Sequence, residues 1–97
     1  MAPEQILANP LDARTDLFAL GGVLYILSTG ELPFPGNNVT EVLMGVCEVE
    51  PIAPRKFRPD LPEWLEAMIL RLLRKNPAER FQTAAEVSAL VKAKSPQ

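Results

Sequence analysis

The chain has 97 residues, a hydrophobic content of 47% and a net charge of −2 from 10 basic and 12 acidic residues. This length supports one domain at most, and the hydrophobic content is too high for a disordered chain. The charge balance offers no basic patch of the kind that nucleic acid or an anionic lipid surface requires, so neither is expected as a partner.

Histidine is absent, and Cys47 is the one cysteine. These counts exclude an internal disulfide, a zinc site and a catalytic triad built on histidine. Cys47 lies in an apolar stretch and is interpreted as a small buried hydrophobic residue. The nearest approach to a basic cluster, Arg71, Arg74 and Lys75, is interpreted as a solvated helix face and not as a phosphate site.

The first predicted helix covers Pro3 to Ala8. Proline suits a first helical turn, where its missing N–H would be unpaired in any case. Asn9-Pro10 is expected to end this helix, because a residue that precedes proline avoids helical backbone angles.

The second predicted helix begins at Thr15 or Asp16 and ends at Thr29, with Gly30 as its C-terminal stop. It is apolar nearly all round, which predicts a helix surrounded by protein. Its continuous apolar run, residues 17–27, is shorter than the roughly 20 residues that span a membrane. With no signal peptide, a cytoplasmic protein is expected. Gly21-Gly22 in its middle is expected to let another backbone come close.

Two further helices are predicted from capping-box spacings. One is capped by Asn38, with Glu41 three residues on, and ends near Glu48. The next begins after Asp60, with Glu63 at the same spacing. Its apolar residues recur in one helical stripe: Leu65, Met68, Ile69, Leu72 and Leu73.

A fifth helix is predicted to begin after Thr83, with Glu86 three residues on, and to fray from Lys92. Trp64 and Phe81 are interpreted as packing residues beside the fourth helix, and Tyr25 is expected to bond a buried acceptor. Because no stretch alternates apolar and polar residues, the sequence predicts an all-α fold of five helices.

Four blocks of sequence, taken together and in order, resemble the last third of a bacterial, eukaryotic-like serine/threonine protein kinase domain. They are Ala2-Pro3-Glu4, residues 16–34, residues 58–62, and Lys75-Asn76-Pro77 with Arg80. The resemblance covers most of the chain. It implies the helical C-terminal lobe of the protein kinase-like fold, without the N-terminal lobe and the catalytic loop, over residues 1–93, followed by a frayed tail at 94–97.

The resemblance also implies roles for four structural residues. Glu4 is expected to pair with Arg80, whose guanidinium matches a carboxylate with two parallel hydrogen bonds. Asp16 is expected to cap the second helix; in the family the matching aspartate also binds backbone amides of the catalytic loop. Gly21 lies in the family's central buried helix.

The sequence has no glycine-rich loop, no His-Arg-Asp and no Asp-Phe-Gly, the parts that hold ATP and magnesium and supply the base in the full-length family. No catalytic, cofactor-binding or metal-binding residue is therefore predicted, and this chain alone is expected to be inactive. Met1 suggests the hypothesis of a truncated, split or wrongly started kinase gene.

Three functions are compatible with these features. The first is a catalytically incomplete kinase C-lobe that provides the helical scaffold on the side of the protein substrate. The second is a helical interaction module, one form of which complements an N-terminal kinase half in trans. The third is a small helical protein unrelated to kinases, such as a regulator.

Overall fold

The computed structural model describes residues 2–7 and 12–94. These residues form five α-helices and two short 3-10 turns, and no β-strand occurs among them, which confirms the all-α fold class. The helices are α1 (Pro3–Ile6), α2 (Ala13–Thr29), α3 (Val39–Glu48), α4 (Glu63–Leu72) and α5 (Ala84–Lys94), and the turns are Pro54–Lys56 and Pro77–Glu79.

Helix α1 is shorter than predicted, since it ends at Ile6. The predicted end, Ala8, lies outside the described residues. The Asn9-Pro10 stop also lies outside them. The helix begins after Ala2, whose backbone N–H donates to Oε1 of Gln5 at 2.7 Å. Pro3 occupies the first helical position, as predicted.

Helix α2 begins earlier than predicted, and its cap is Asp12 and not Asp16. The side chain of Asp12 accepts the backbone N–H of Arg14 at 2.9 Å, and its backbone is extended, as a capping residue requires. The predicted cap at Asp16 was wrong, because Asp16 already lies inside the first helical turn. Gly30 ends the helix in the left-handed conformation, with φ of 75°, and its N–H donates to Ile26, which confirms the predicted stop.

The capping spacings predicted the starts of α3 and α5 correctly and the start of α4 wrongly. Asn38 caps α3 by accepting the N–H of Glu41, and Thr83 accepts the N–H of Glu86 at the start of α5. Asp60 does not cap α4, which begins after Pro62 with no side-chain cap. Leu61 precedes a proline and avoids helical angles, so the helix cannot reach back to Asp60.

The centre of the molecule is the contact between α2 and α4, the most extensive between any two helices of the described chain. The predicted stripe on α4 faces this contact: Met68, Ile69, Leu72 and Leu73 are buried, and Leu65 is half-buried. Phe81 and Val87 pack against the same stripe, with Trp64 at its edge, so Trp64 and Phe81 are packing residues as predicted.

The two adjacent glycines of α2 have different surroundings. A Cβ at Gly21 would lie 2.7 Å from the Cβ of Leu72, whereas a Cβ at Gly22 would meet no atom within 4 Å. The close contact predicted for the two glycines therefore occurs at Gly21 alone. The atoms that approach Gly21 belong to the side chains of Leu72 and Leu73, and not to a backbone as predicted.

One face of α2 is not covered by the described residues. Leu20, Val23, Ile26 and Leu27 are between 37% and 75% exposed, whereas Leu17, Phe18 and Tyr25 are buried. The prediction that protein surrounds this helix thus holds for one side only. No helix within residues 2–7 and 12–94 is long and apolar enough to cross a membrane.

At the carboxyl end, α5 remains helical through Lys94, past Lys92, where fraying was predicted. Val87 is its buried residue, and Leu90 and Val91 are half-buried. Residues 95–97 lie outside the described chain.

Candidate functional site

The charges buried most deeply in the described chain belong to Glu4 and Arg80, which are 4% and 0% exposed. Nη1 of Arg80 donates to Oε2 of Glu4 at 2.7 Å, and Nη2 donates to Oε1 at 2.8 Å. These are the two parallel hydrogen bonds that a guanidinium makes with a carboxylate. The predicted pair is present, and it joins α1 to the residue that follows the second 3-10 turn.

Arg80 uses its remaining donors on backbone carbonyl groups. Nε donates to Arg74 at 2.7 Å, Nη1 to Arg14 at 2.9 Å and Nη2 to Lys75 at 3.2 Å. All five guanidinium N–H groups therefore have an acceptor. The guanidinium carbon also lies 4.8 Å from the ring centre of Phe18. A single side chain thus connects α1, the start of α2 and the segment after α4.

Glu4 accepts a third hydrogen bond, from the hydroxyl of Thr15 at 2.8 Å. The pKa of Glu4 is lowered from 4.5 to about 2, chiefly by the hydrogen bond from Arg80, with the backbone amide, Thr15 and the charge of Arg80 acting in the same direction. Burial opposes them because it penalises the charged carboxylate. Glu4 is consequently ionised at every physiological pH.

Thr15 belongs to this site and the sequence did not indicate it. It is buried in the first turn of α2, directly before Asp16. Asp16 is exposed and makes no side-chain hydrogen bond to the part of the chain that is described, so it does not join Glu4 and Arg80. A threonine in the first turn of a helix carries no pattern that would have singled it out.

Lys75 holds a second long-range connection. Its ammonium donates to the carbonyl groups of Gly45 and Val46 at 3.1 and 2.6 Å and lies 3.9 Å from the ring centre of Phe34. Burial lowers its pKa. The prediction of a solvated face for this cluster was therefore wrong at Lys75, which ties the carboxyl half of α3 to the segment after α4. Its acceptors are backbone atoms, which sequence does not specify.

The sequence also made predictions for Tyr25, expected to bond a buried acceptor, and for Cys47, expected to be buried. The hydroxyl of Tyr25 donates to the carbonyl of Ile52 at 2.6 Å, as expected for a buried tyrosine. Cys47 is half-buried and has a free thiol.

The charged side chains around this site are occupied by contacts within the fold. Within residues 2–7 and 12–94, no group of three or more His, Cys, Asp or Glu side chains could hold a metal ion. Arg80, which is buried, is engaged by Glu4 and backbone carbonyls, and Lys75, which is half-buried, is engaged by backbone carbonyls. These contacts hold α1, α2, α3 and the segment after α4 together.

Five helices around a buried carboxylate–guanidinium pair agree with the helical lobe of a protein kinase domain, which the sequence resembles. The sequence matches the protein kinase domain family over residues 1–91, and the chain belongs to that family. It is 40% identical over 89 residues to the serine/threonine-protein kinase PknB of Mycolicibacterium smegmatis and 42% identical over 89 residues to PknB of Mycobacterium tuberculosis. A serine/threonine-protein kinase of Streptomyces coelicolor, PksC, is 38% identical over 84 residues.

The alignments cover most of this chain but only a small part of each relative. The two PknB alignments cover 92% of this chain and 14% of the relative, and the PksC alignment covers 87% and 15%. The chain therefore spans about one seventh of the curated relatives it matches. Among solved structures, the twitchin kinase region of C. elegans superposes with a TM-score of 0.80 at 26% identity, over 99% of this chain and 17% of that one.

Proposed function

We propose that this chain is the helical scaffold of a serine/threonine protein kinase, the part on which a protein substrate rests, and that it does not transfer phosphate by itself. The buried Glu4–Arg80 pair carries the proposal, because it fixes α1 to the helical body. In the kinase family that the sequence resembles, the matching tie holds the platform for the peptide substrate. Membership of the kinase family supports the same interpretation.

Inactivity follows from what phosphoryl transfer requires. Its rate comes from positioning of the nucleotide and from charges that stabilise the transferring group. In the full-length family these tasks belong to ATP-binding and magnesium-binding blocks, and this sequence contains none of them. ATP, magnesium and the catalytic base would all be held by residues outside this chain, in a cytoplasmic kinase domain.

The direct test uses the purified 97-residue chain with γ-labelled ATP, magnesium and a general protein substrate. We expect no label in the substrate and no heat of ATP binding by calorimetry. Magnesium-dependent incorporation at rates near 1 s⁻¹ or above, the range typical of kinases, would refute the proposal.

A second function is favoured by one observation, the uncovered face of α2. Four large apolar side chains on one helix face are unusual for a surface that a monomeric protein exposes to solvent. An N-terminal kinase half supplied in trans would cover them. Mixing the chain with a separately expressed half that contains the ATP-binding blocks distinguishes the two functions. Restored phosphorylation supports complementation in trans. If the mixture is as inactive as the separate parts, only the scaffold function remains supported.

A further inference from the structure

Helix α3 is fixed to the central helices near its carboxyl end. Two of its ten residues are buried, Gly45 and Val46. The side chain of Val46 belongs to the same apolar cluster as Phe34, and the carbonyls of Gly45 and Val46 accept hydrogen bonds from Lys75. In the described chain, these two are the hydrogen bonds that connect α3 to residues more than four positions away. Among the helices, α3 has its most extensive contact with α1.

The carboxyl end of α3 has no cation of its own. The last four carbonyls of a helix have no partner within it, and a positive charge beside them is favourable. The last turn of α3 contains no basic residue, and it ends with the acidic Glu48. Lys75, from the segment after α4, supplies the missing charge. Its Nζ lies 2.6 Å from the carbonyl oxygen of Val46 and 3.1 Å from that of Gly45. The same contact therefore docks α3 and completes its last turn.

The positive charge of Lys75 strengthens this contact in two ways. Hydrogen bonds from a charged donor are stronger than those from a neutral one. The ammonium also lies 3.9 Å from the ring centre of Phe34, which is within the range of a cation–π interaction. Without the ammonium, the carbonyl of Val46 loses its donor, and apolar contacts alone keep α3 against the central helices.

We propose that α3 opens from the helical body as a unit, and that the ammonium of Lys75 is the contact that keeps it docked. Irregular segments, residues 30–38 and 49–53, lie on both sides of α3 and can absorb a change in backbone angles. An element with few buried side chains opens at a lower free-energy cost than the whole molecule. This motion requires neither ATP nor phosphoryl transfer, so the proposal stands or falls separately from the kinase scaffold.

Cys47 reports the motion of α3. It is the one cysteine of the chain, it is half-buried, and it lines a cavity of about 240 Å³ between α1 and α3. Its thiol becomes more accessible when the two helices separate. A nearby positive charge favours the thiolate, which is the form that reacts, and Lys75 and Cys47 interact electrostatically. Loss of this charge alone would slow the reaction of Cys47, so a faster reaction in a Lys75 variant indicates opening.

The test follows the reaction of Cys47 with an aromatic disulfide reagent that releases a coloured thiolate, in the full 97-residue chain under native conditions. Lys75→Met keeps an unbranched side chain but removes the charge, and Cys47 should then react about tenfold faster or more. Lys92→Met, at an exposed lysine of α5, should react within about twofold of the unchanged chain. In Lys75→Met, the amide hydrogens of α3 should also exchange faster, whereas those of α2 and α4 should not change. Equal rates for Lys75→Met and the unchanged chain would overturn the proposal.

A second measurement separates opening of α3 from unfolding of the whole chain. The reaction rate of Cys47 is measured in the unchanged chain and in Lys75→Met at urea concentrations below the unfolding transition. Local opening exposes little surface, so the rate should depend only weakly on urea in both. A dependence as steep as that of global unfolding would show that α3 does not open by itself, and the proposal would fall. Failure of Lys75→Met to fold would also overturn it, because Lys75 would then stabilise the whole chain and not the docking of α3.

Discussion

Arg80 has no exposed surface, and a guanidinium remains protonated under all conditions that a folded protein tolerates. Its charge must therefore be balanced inside the protein, and Glu4 balances it with two hydrogen bonds. Removal of one partner from a buried pair leaves an uncompensated charge, which typically destabilises a protein by about 3–5 kcal/mol. Lysine could not replace Arg80, because it lacks the planar fork that reaches Glu4 and three carbonyl groups together.

The pair makes the stability of the chain dependent on pH in the acid range. The pKa of Glu4 is about 2 in the folded chain and 4.5 without its partners. The contribution of the pair is thus fully present above about pH 4.5 and is lost progressively as the pH falls through about 2. We expect the free energy of unfolding, measured by urea titration, to decrease over this interval.

Two variants isolate the effect of Glu4 from that of the other carboxylates. Glu4→Gln cannot titrate and should show a shallower decrease below about pH 4.5, whereas Glu79→Gln at an exposed site should follow the unchanged chain. If Glu4→Gln and the unchanged chain have the same acid slope, Glu4 does not have the lowered pKa.

At the scale of helices, the start of α2 offers a comparison between two aspartates four residues apart. Asp12 caps the helix and Asp16 does not. Asp12→Ala should lower the free energy of unfolding by about 1 kcal/mol, and Asp16→Ala should change it by less than about 0.5 kcal/mol. Equal losses in urea unfolding for the two variants would contradict the assignment of the cap.

The adjacent glycines of α2 provide a second comparison. Gly21→Ala would push a methyl group against Leu72 and should destabilise the chain by about 1–3 kcal/mol. Gly22→Ala meets open space and should stabilise the helix by up to about 1 kcal/mol, because alanine favours helix. Thermal unfolding followed by circular dichroism measures both, and a stabilising Gly21→Ala would show that α2 and α4 are not in close contact.

These helices show what the sequence could predict and why. The stripe on α4, the stop at Gly30 and the cap at Asn38 depend on neighbours within four residues, and all were predicted correctly. The cap of α4 was predicted wrongly because Pro62 overrides a capping spacing. At the site, the partnership of Glu4 and Arg80 came from resemblance to a family, since no local pattern connects residues 76 positions apart. Thr15 and Lys75 were missed because their partners are defined only by the fold.

At the scale of the whole molecule, the uncovered face of α2 should control how the chain behaves in solution. Leu27 is 75% exposed on this face. Leu27→Glu should therefore reduce self-association in sedimentation experiments while leaving the melting temperature nearly unchanged. Leu17→Glu, on the buried side of the same helix, should prevent folding, because it buries an unpaired charge. Unchanged self-association in Leu27→Glu would show that this face is not what drives it.

The account depends above all on the pair that connects α1 to the helical body, and a double-mutant cycle measures that connection most directly. The unchanged chain, Glu4→Gln, Arg80→Leu and the double variant would be unfolded with urea in sucrose, which strengthens the folded state of all four. We expect each single variant to lose about 3 kcal/mol or more and the double variant to lose clearly less than the sum, which gives a coupling free energy of at least about 2 kcal/mol. Additive losses, with a coupling below about 0.5 kcal/mol, would contradict the account.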